Sequence, residues 1–524
     1  MREPCSRALR PAPVRRLAER FVAALLLLAC AGCARLAERV DVAHERALPP
    51  AAVGALAEHA GRVAMRLGTD ESAYWLLDRN ELALTARLAL VDTAAASLDV
   101  QYFIWQEDAT GNLLAGQLLA AAERGVKIRL LLDDFGISNA RGDVLHLDAH
   151  PMIEVRVFNP WANRRFRVFK GVEFLTRARE LNRRMHNKII AGDGHFAIIG
   201  GRNIGDRYFG VFEPFVQDDL DVLLAGPIVA DVVASFDVYW NSSRAYPMAI
   251  FRDSPDAVRP LEETRAVIDA AVEANAATLA AFLRQRGGWR DYFDELVTTA
   301  AVGPGELHYD LPGILDPDQR RLYSQFKELV ASAQREVLIS SPYFIPDEDF
   351  RALLQTLTAR GVRVRIITNS LASNNHVIAH TGYKRWRRQV LRAGVELYEL
   401  RADAAAIDLY LTPPVSPAAL GLHTKAVVVD GARAFVGSPN VDPRSMLLTT
   451  EIGVVAESEE LARRLQALIE RDMAPENSWR VTMDEEGWLT WTNDEESVKR
   501  QPARNFRQRF FEFLLNLLPL KKQA

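Results

Sequence analysis

Cysteine is nearly absent from this chain. There are three in 524 residues, Cys5, Cys30 and Cys33, all within the first 33 positions. That excludes a disulfide framework and a cysteine nucleophile for the rest of the chain. The apolar run at residues 21–29 falls short of the about 20 residues a membrane-spanning helix needs. Neither sign of charge dominates: 64 Lys+Arg face 68 Asp+Glu, a formal −4, so no overall basic footprint for nucleic acid is present. Histidine and lysine are scarce as well, ten and nine, which makes a repeated pattern built from them informative. What is abundant is apolar side chain. At 524 residues and 49% hydrophobic, the chain is long enough for two cores.

The first twenty residues carry six arginines (Arg2, Arg7, Arg10, Arg15, Arg16, Arg20) against two glutamates, and the short apolar run follows. This pattern reads as a secretory leader. Its end, Leu28-Ala29-Cys30-Ala31-Gly32-Cys33, resembles a bacterial lipoprotein cleavage box, with lipidation expected at Cys33 and Cys30 as the second choice. An uncleaved short anchor is the alternative. Cleavage before Cys33 removes those six arginines and two glutamates and moves the formal charge from −4 to −8. The mature chain is therefore expected on the extracytoplasmic, periplasmic side, held to a membrane, with no nucleic acid as partner.

The scarce residues form one signature twice. H-x-K-x-x-x-x-D followed by G-[GS]-x-N reads His186, Lys188, Asp193, Gly200, Gly201, Asn203, and again His423, Lys425, Asp430, Gly437, Ser438, Asn440. About a hundredth of one H-x-K-x-x-x-x-D is expected by chance. The repeat extends beyond the signature. Residues 98–104 and 338–345 are strand-like runs that both end in Tyr-Phe-Ile, helical patterns follow at 113–123 and 350–358, and each half continues with Arg-Gly-Val into a β-branched strand.

Strands alternating with helices predict an α/β class: two α/β sandwich domains from an internal duplication, forming a pseudo-dimer with one shared active site. The expected divisions are a leader at 1–33, an N-terminal extension at 34–85, a first domain at 86–253, a helical bridge with turns at 254–319, a second domain at 320–475, and a C-terminal amphipathic segment at 476–524. Within each signature, histidine and lysine two apart on a strand share a face. Such a chain is expected to be a monomer with an internal pseudo-two-fold.

At these residues the chain resembles the phospholipase D superfamily, whose hallmark is the duplicated His-Lys-Asp motif; both copies match, and the related repeats cover roughly residues 85–475. Several stretches, among them Tyr102-Phe103-Ile104-Trp105 and the segment 181–188, resemble bacterial cardiolipin synthases. The resemblance implies a phosphatidyltransferase acting on phospholipids, with phosphatidylglycerol as acceptor and phosphatidylglycerol or phosphatidylethanolamine as donor. It also implies that His186 is the nucleophile, His423 the acid, and the loop 373–380 an edge of the cleft.

The side chains support that chemistry independently. Breaking a phosphodiester calls for cations to gather its charge, a nucleophile active near neutral pH, and an acid for the leaving oxygen. Two histidines and two lysines supply all three without a metal or other cofactor. Lys188, Lys425, Asn203 and Asn440 are expected to bind phosphate oxygens. Each imidazole needs a carboxylate to hold its tautomer. The candidate in the second half is Glu451, and in the first half Asp219, which aligns with it after a five-residue insertion. Asp193 and Asp430, catalytic by the motif, lie at strand turns and also read as residues that pin the turn or a lysine.

Around the site, Arg164, Arg165, Arg167, Lys170, Arg177, Arg179, Arg183 and Arg184 are interleaved with Trp161, Phe166, Phe169 and Phe174, a stretch suited to an anionic amphiphile. A second basic run, 384–388 with Arg392, has helical spacing and reads equally as a solvated face. His376 and His380, four apart, read as a polar helix face. At the C-terminus Phe506, Phe510, Phe513, Leu514 and Leu517 recur at helical spacing among basic residues, to lie in a membrane interface or to pack on the second domain. The competing functions are a phospholipase D-type hydrolase, another exported phosphodiesterase or nuclease, and a non-catalytic lipoprotein scaffold.

Overall fold

A computed structural model describes residues 42–137, 143–162, 167–212, 214–251, 258–283, 289–313, 321–416 and 419–517. The leader with Cys33, and Arg164, Arg165 and Phe166 of the basic stretch, lie outside these residues.

The strands that position the site are β1 (Glu71–Leu77), β2 (Ser97–Ile104), β3 (Lys127–Asp133), β4 (Ile153–Phe158), β5 (Ile189–Gly192), β6 (Phe196–Gly200) and β7 (Asp221–Ala225) in the first half. β8 (Ala301–Tyr309) lies between the halves. The second half has β9 (Glu336–Ser340), β10 (Arg363–Asn369), β11 (Glu396–Leu400), β12 (Ala426–Val429), β13 (Arg433–Gly437) and β14 (Ile452–Glu457). The first sheet runs β4-β3-β2-β5-β6-β7-β1, with β2, β3 and β4 parallel and the rest antiparallel. The second runs β11-β10-β9-β12-β13-β14 with the same directions. The repeat legible in the sequence is thus a repeat of strand order. The copies differ at one end: β2 continues through Phe103, whereas β9 stops at Ser340, because Pro342 has no N–H to offer the ladder.

β8 joins the two sheets. Its residues 301–304 pair with β1 and residues 305–309 with β14. The bridge expected at 254–319 as helices and turns does contain helices, at Leu261–Ala274 and Trp289–Thr299, but its Gly303-Pro304-Gly305, a turn-like sequence, lies inside this strand. Two close approaches explain the glycines. A Cβ at Gly303 would meet the Glu457 carbonyl at 2.2 Å, and one at Gly305 the Tyr74 hydroxyl at 2.0 Å. Pro304 falls where the strand changes partner, so its missing donor breaks neither ladder. The extension expected at 34–85 is also divided differently. It supplies β1, and its boundary at 85 cuts through helix α1 (Asn80–Thr93).

The helices complete five layers. α3 (Ile228–Trp240) and α6 (Glu459–Met473) fill the space between the sheets, in a core that takes Ile199, Val222 and Leu224 from one half and Leu338, Val428 and Val454 from the other. α1 and α2 (Ala109–Glu123) cover the outer face of the first sheet. α4 (Glu348–Ala359) and α5 (Val377–Arg392) cover that of the second. Asp108 and Asp347 cap α2 and α4 at equivalent places, accepting from the Gly111 and Phe350 N–H groups. Each fully buried Val, Leu or Ile contributes roughly 1.5–3 kcal/mol, so the shared core holds the halves in fixed register. α7 (Phe506–Leu517) lies beside α5. No helix among the described residues is long and apolar enough to cross a membrane.

Candidate active site

Each signature follows a short strand that pairs with a short strand of the other half. Arg184–Met185 pairs in parallel with Thr449–Thr450, and Leu420–Leu422 with Val216–Asp218. A three-residue link then leads into β5 or β12, and the histidine and lysine occupy that link, ahead of the strand proper. The His186 N–H donates to the Thr450 carbonyl at 2.9 Å, and the His423 N–H to the Asp218 carbonyl at 2.6 Å.

This crossing delivers each imidazole to the carboxylate of the opposite half. His186 Nδ1 lies 2.7 Å from Glu451 Oε2, and His423 Nδ1 lies 2.5 Å from Asp219 Oδ2. The candidate carboxylates are the expected ones, but the pairing within each half is corrected: the short parallel strand pairs swap the partners. A carboxylate accepting from Nδ1–H leaves the Nε2 lone pair free on both rings.

The two carboxylates are held differently. Glu451 also accepts from the Ser438 hydroxyl and, at 2.7 Å, from Thr449 Oγ1. Asp219 accepts from the Leu220 N–H at 2.9 Å through its other oxygen. A Cβ at Gly201 would stand 2.1 Å from Asp219 Oδ1, so the position that is Ser438 in the second copy is glycine in the first to leave room for that carboxylate. Gly200 and Gly437 allow close approach of strands: a Cβ there would meet Asp221 Cα at 2.5 Å and the Ile452 carbonyl at 2.6 Å.

Lys188 Nζ donates to the His186 carbonyl at 2.5 Å, and Lys425 Nζ to the His423 carbonyl. Both lysines are buried. Burial pulls Lys188 down to about 7 and Lys425 to about 8, against the pull of both carboxylates. Burial brings His186 to about 4, with Glu451 opposing. It brings His423 to about 3, with Lys425 adding and Asp219 opposing. For Glu451 and Asp219 burial acts upward, yet the neighbouring histidine and lysine hold each at about 2. Lys425 acts on His186 and Lys188 on His423, so the cations of both halves converge on one place. A phosphodiester anion entering it brings the negative charge that lets one imidazole take a proton.

Aromatic rings that the sequence did not single out line the site. Phe103 meets His186 edge to face with centroids 5.0 Å apart, lies 5.7 Å from Lys188 Nζ, and stacks on half-exposed Phe135. Tyr208 stands 5.6 Å from His423. Phe103 stood out in the sequence only within the repeated Tyr-Phe-Ile, read as a strand end, and within the Tyr102–Trp105 stretch that carries the family resemblance, not as a residue of the site.

Several expected residues have other work. Asn203 accepts from the Ile104 N–H and donates to Tyr208, which ties both ends of its amide. Asn440 differs: its Oδ1 has no partner among the described residues. Asp193 accepts from the N–H groups of Ala95, Ala96 and Ser97 at 2.8–2.9 Å, and Asp430 from those of Gln334, Arg335 and Glu336. Both have positive φ, 54° and 55°, at the far ends of β5 and β12. They belong to the strand turns and are corrected from the catalytic set. Arg177 pairs with Glu173 and Glu180, and Arg184 is buried against Asp133, so these two of the basic stretch are already engaged. In the second run Arg387 is buried on Glu399. His380 faces Arg387 and Gln501 in the interior, whereas His376 lies 5.7 Å from Tyr343. Burial, then Arg207 of the first half and Arg444 of the second, lower His376.

A family described as cardiolipin synthase, phospholipase D-like domain, matches residues 88–240 and 326–473. The chain is 37% identical over 459 residues to cardiolipin synthase C of Escherichia coli (strain K12), across 85% of this chain and 94% of that one. It is 25% identical over 434 residues to a cardiolipin synthase of Oceanobacillus iheyensis, across 82% and 75% of the two chains. Among solved structures, phosphatidylserine synthase from Haemophilus influenzae Rd KW20 has a similar fold, with TM-score 0.55 and 15% identity over 87% of this chain and 96% of that one.

Proposed function

The chain belongs to the phospholipase D-like cardiolipin synthase family, and from that premise we propose that it is a membrane-associated phosphatidyltransferase that moves a phosphatidyl group onto phosphatidylglycerol. The observation that carries this reading is the pair of histidine–carboxylate couples exchanged between the halves, with two buried lysines beside them.

In the first step His186 Nε2 attacks phosphorus. The bond to the leaving alcohol breaks, protonated His423 gives that oxygen its proton, and an N–P bond forms. In the second, neutral His423 takes the proton of the phosphatidylglycerol hydroxyl as its oxygen attacks phosphorus, and the N–P bond breaks. Glu451 supports the charge that grows on His186, while Asp219 supports His423 when it is protonated. Lys188, Lys425 and the Asn440 amide bind the phosphate oxygens. Cys33, lipidated once the leader before it is removed, serves as the anchor on the periplasmic side. Phe103 and Phe135 beside His186 suit an acceptor that arrives with acyl chains.

Purified protein given vesicles of labelled phosphatidylglycerol is expected to form cardiolipin and release glycerol. Phosphatidic acid as the sole product would make it a phospholipase D-type hydrolase. Cleavage of DNA without lipid turnover would overturn the phospholipid reading.

A further inference from the structure

α7 is packed the wrong way round for a helix on a water-facing surface. By the 3.6-residue period, Gln508, Glu512 and Leu515 share one side, and Phe506, Phe510 and Phe513 the other. The side that packs is the mostly polar one. Gln508 Nε2 donates to the Leu371 carbonyl at 2.5 Å, and Glu512 pairs with Lys384 of α5 at 2.9 Å. The side that faces out is apolar: Phe506, Phe510, Phe511, Phe513 and Leu514 are 76, 51, 53, 57 and 41% exposed. Soluble surfaces rarely present so contiguous a patch without a partner. By the same period Arg509 borders Phe506, Phe510 and Phe513 on one side and Arg507 lies on the other, between Leu514 and Phe511, and arginine stems can run along apolar surface while their charged heads stay in a polar layer.

The position of α7 links this face to the site. Arg504 donates to the Asn374 carbonyl at 3.0 Å, and Gln508 holds Leu371, so the helix start is fastened to the segment that leads into His376. Half-exposed Ile378 opens α5 beside it.

We propose that α7 is an interfacial helix which lies in the headgroup layer of an anionic bilayer and holds the mouth of the catalytic cleft at the lipid surface. This rests on the phospholipid reading of the site and adds the surface by which the protein meets its substrate. Apolar area and flanking arginines together favour anionic membranes over neutral ones.

The test compares wild-type full-length protein with the double variant Phe510→Glu, Phe513→Glu. Vesicles of phosphatidylglycerol in phosphatidylcholine serve as one substrate, and short-chain phosphatidylglycerol dissolved as monomers as the other. The variant is expected to show at least a tenfold higher apparent KM on vesicles, with monomer turnover within twofold of wild type. Amide hydrogen exchange across residues 506–517 of wild type is expected to slow at least tenfold when vesicles are added. An unchanged vesicle KM, or unchanged exchange, overturns the proposal. So does conversion of a dimer to a monomer with vesicle KM unchanged, which would assign the stripe to a second copy. Should the double variant fail to fold, Phe510→Ser with Phe513→Ser takes its place. Wild type that turns over neither lipid form defeats the phospholipid reading, while the exchange result still judges the docking surface.

Discussion

Replacing each orienting carboxylate by its amide has unequal consequences, and the inequality follows from what else each carboxylate touches. In Glu451→Gln the side-chain oxygen can still face His186 Nδ1–H and Ser438, because the new NH2 then points at Thr449 Oγ1, whose own proton can turn to the Arg444 carbonyl 3.1 Å away. The tautomer survives and only the charge is lost. A charge-assisted hydrogen bond contributes about 1.5–3 kcal/mol, so turnover is expected to fall about 10- to 100-fold. In Asp219→Asn one position faces the Leu220 N–H, a donor that cannot turn, so the amide oxygen must stay there and the NH2 must face His423. His423 is then held with its proton on Nε2, and the expected loss is about 10⁴-fold, the order seen when an amide replaces an orienting carboxylate and imposes the wrong tautomer. Steady-state turnover of phosphatidylglycerol measures both losses. Imidazole 15N spectra locate them: Glu451→Gln should move only the His186 resonances and Asp219→Asn only those of His423. Equal losses, or a response from the histidine of the same half, would refute the reasoning.

Gly201→Ala places a Cβ 2.1 Å from Asp219 Oδ1, and overpacking at such a site costs about 1–3 kcal/mol; turnover is expected to fall about 10- to 100-fold with His423 spectra disturbed and His186 spectra intact. Asp193→Asn sets an NH2 against one of three backbone donors, a penalty of about 1–3 kcal/mol, so the melting temperature should drop by a few degrees while kcat stays within about twofold. For pH, His186 and His423 bind protons more weakly in the folded chain than in the unfolded one, where the value is about 6.5. The histidine contribution is therefore complete above about 6.5 and is lost as pH drops toward about 4, by roughly 3 kcal/mol for His186 alone, while Lys188 and Lys425, held below their usual 10.5, lower stability in the same direction from higher pH. Denaturant titrations between pH 7.5 and 5 would show this as a falling midpoint, and a flat profile would contradict the buried, neutral imidazoles.

The two signature copies and the strand, helix, strand start of each half were legible because both are local: scarce residues at fixed spacing, and a helix-ending glycine that leads into a β-branched run. What joins the halves was not. Whether Glu451 serves His423 or His186 is decided by the parallel pairing of residues 184–185 with 449–450, a contact across more than 260 positions with no local signature. β8 was hidden for the opposite reason, since Gly303-Pro304-Gly305 carries every local mark of a turn and is a strand only because two sheets close on it. The aspartates of the signature were ambiguous on paper because a carboxylate suits both a turn and a reaction centre; three backbone donors on each now account for them. For α7 the sequence period marked the apolar stripe but not which side would face the protein.

Quenching wild-type protein during turnover of phosphatidylglycerol labelled at phosphorus, then mapping the label by mass spectrometry, bears most directly on the shared two-histidine site. The expected result is an acid-labile phosphatidyl group on His186, absent from His186→Ala. Turnover with no covalent label, or a label carried by His423, would contradict it.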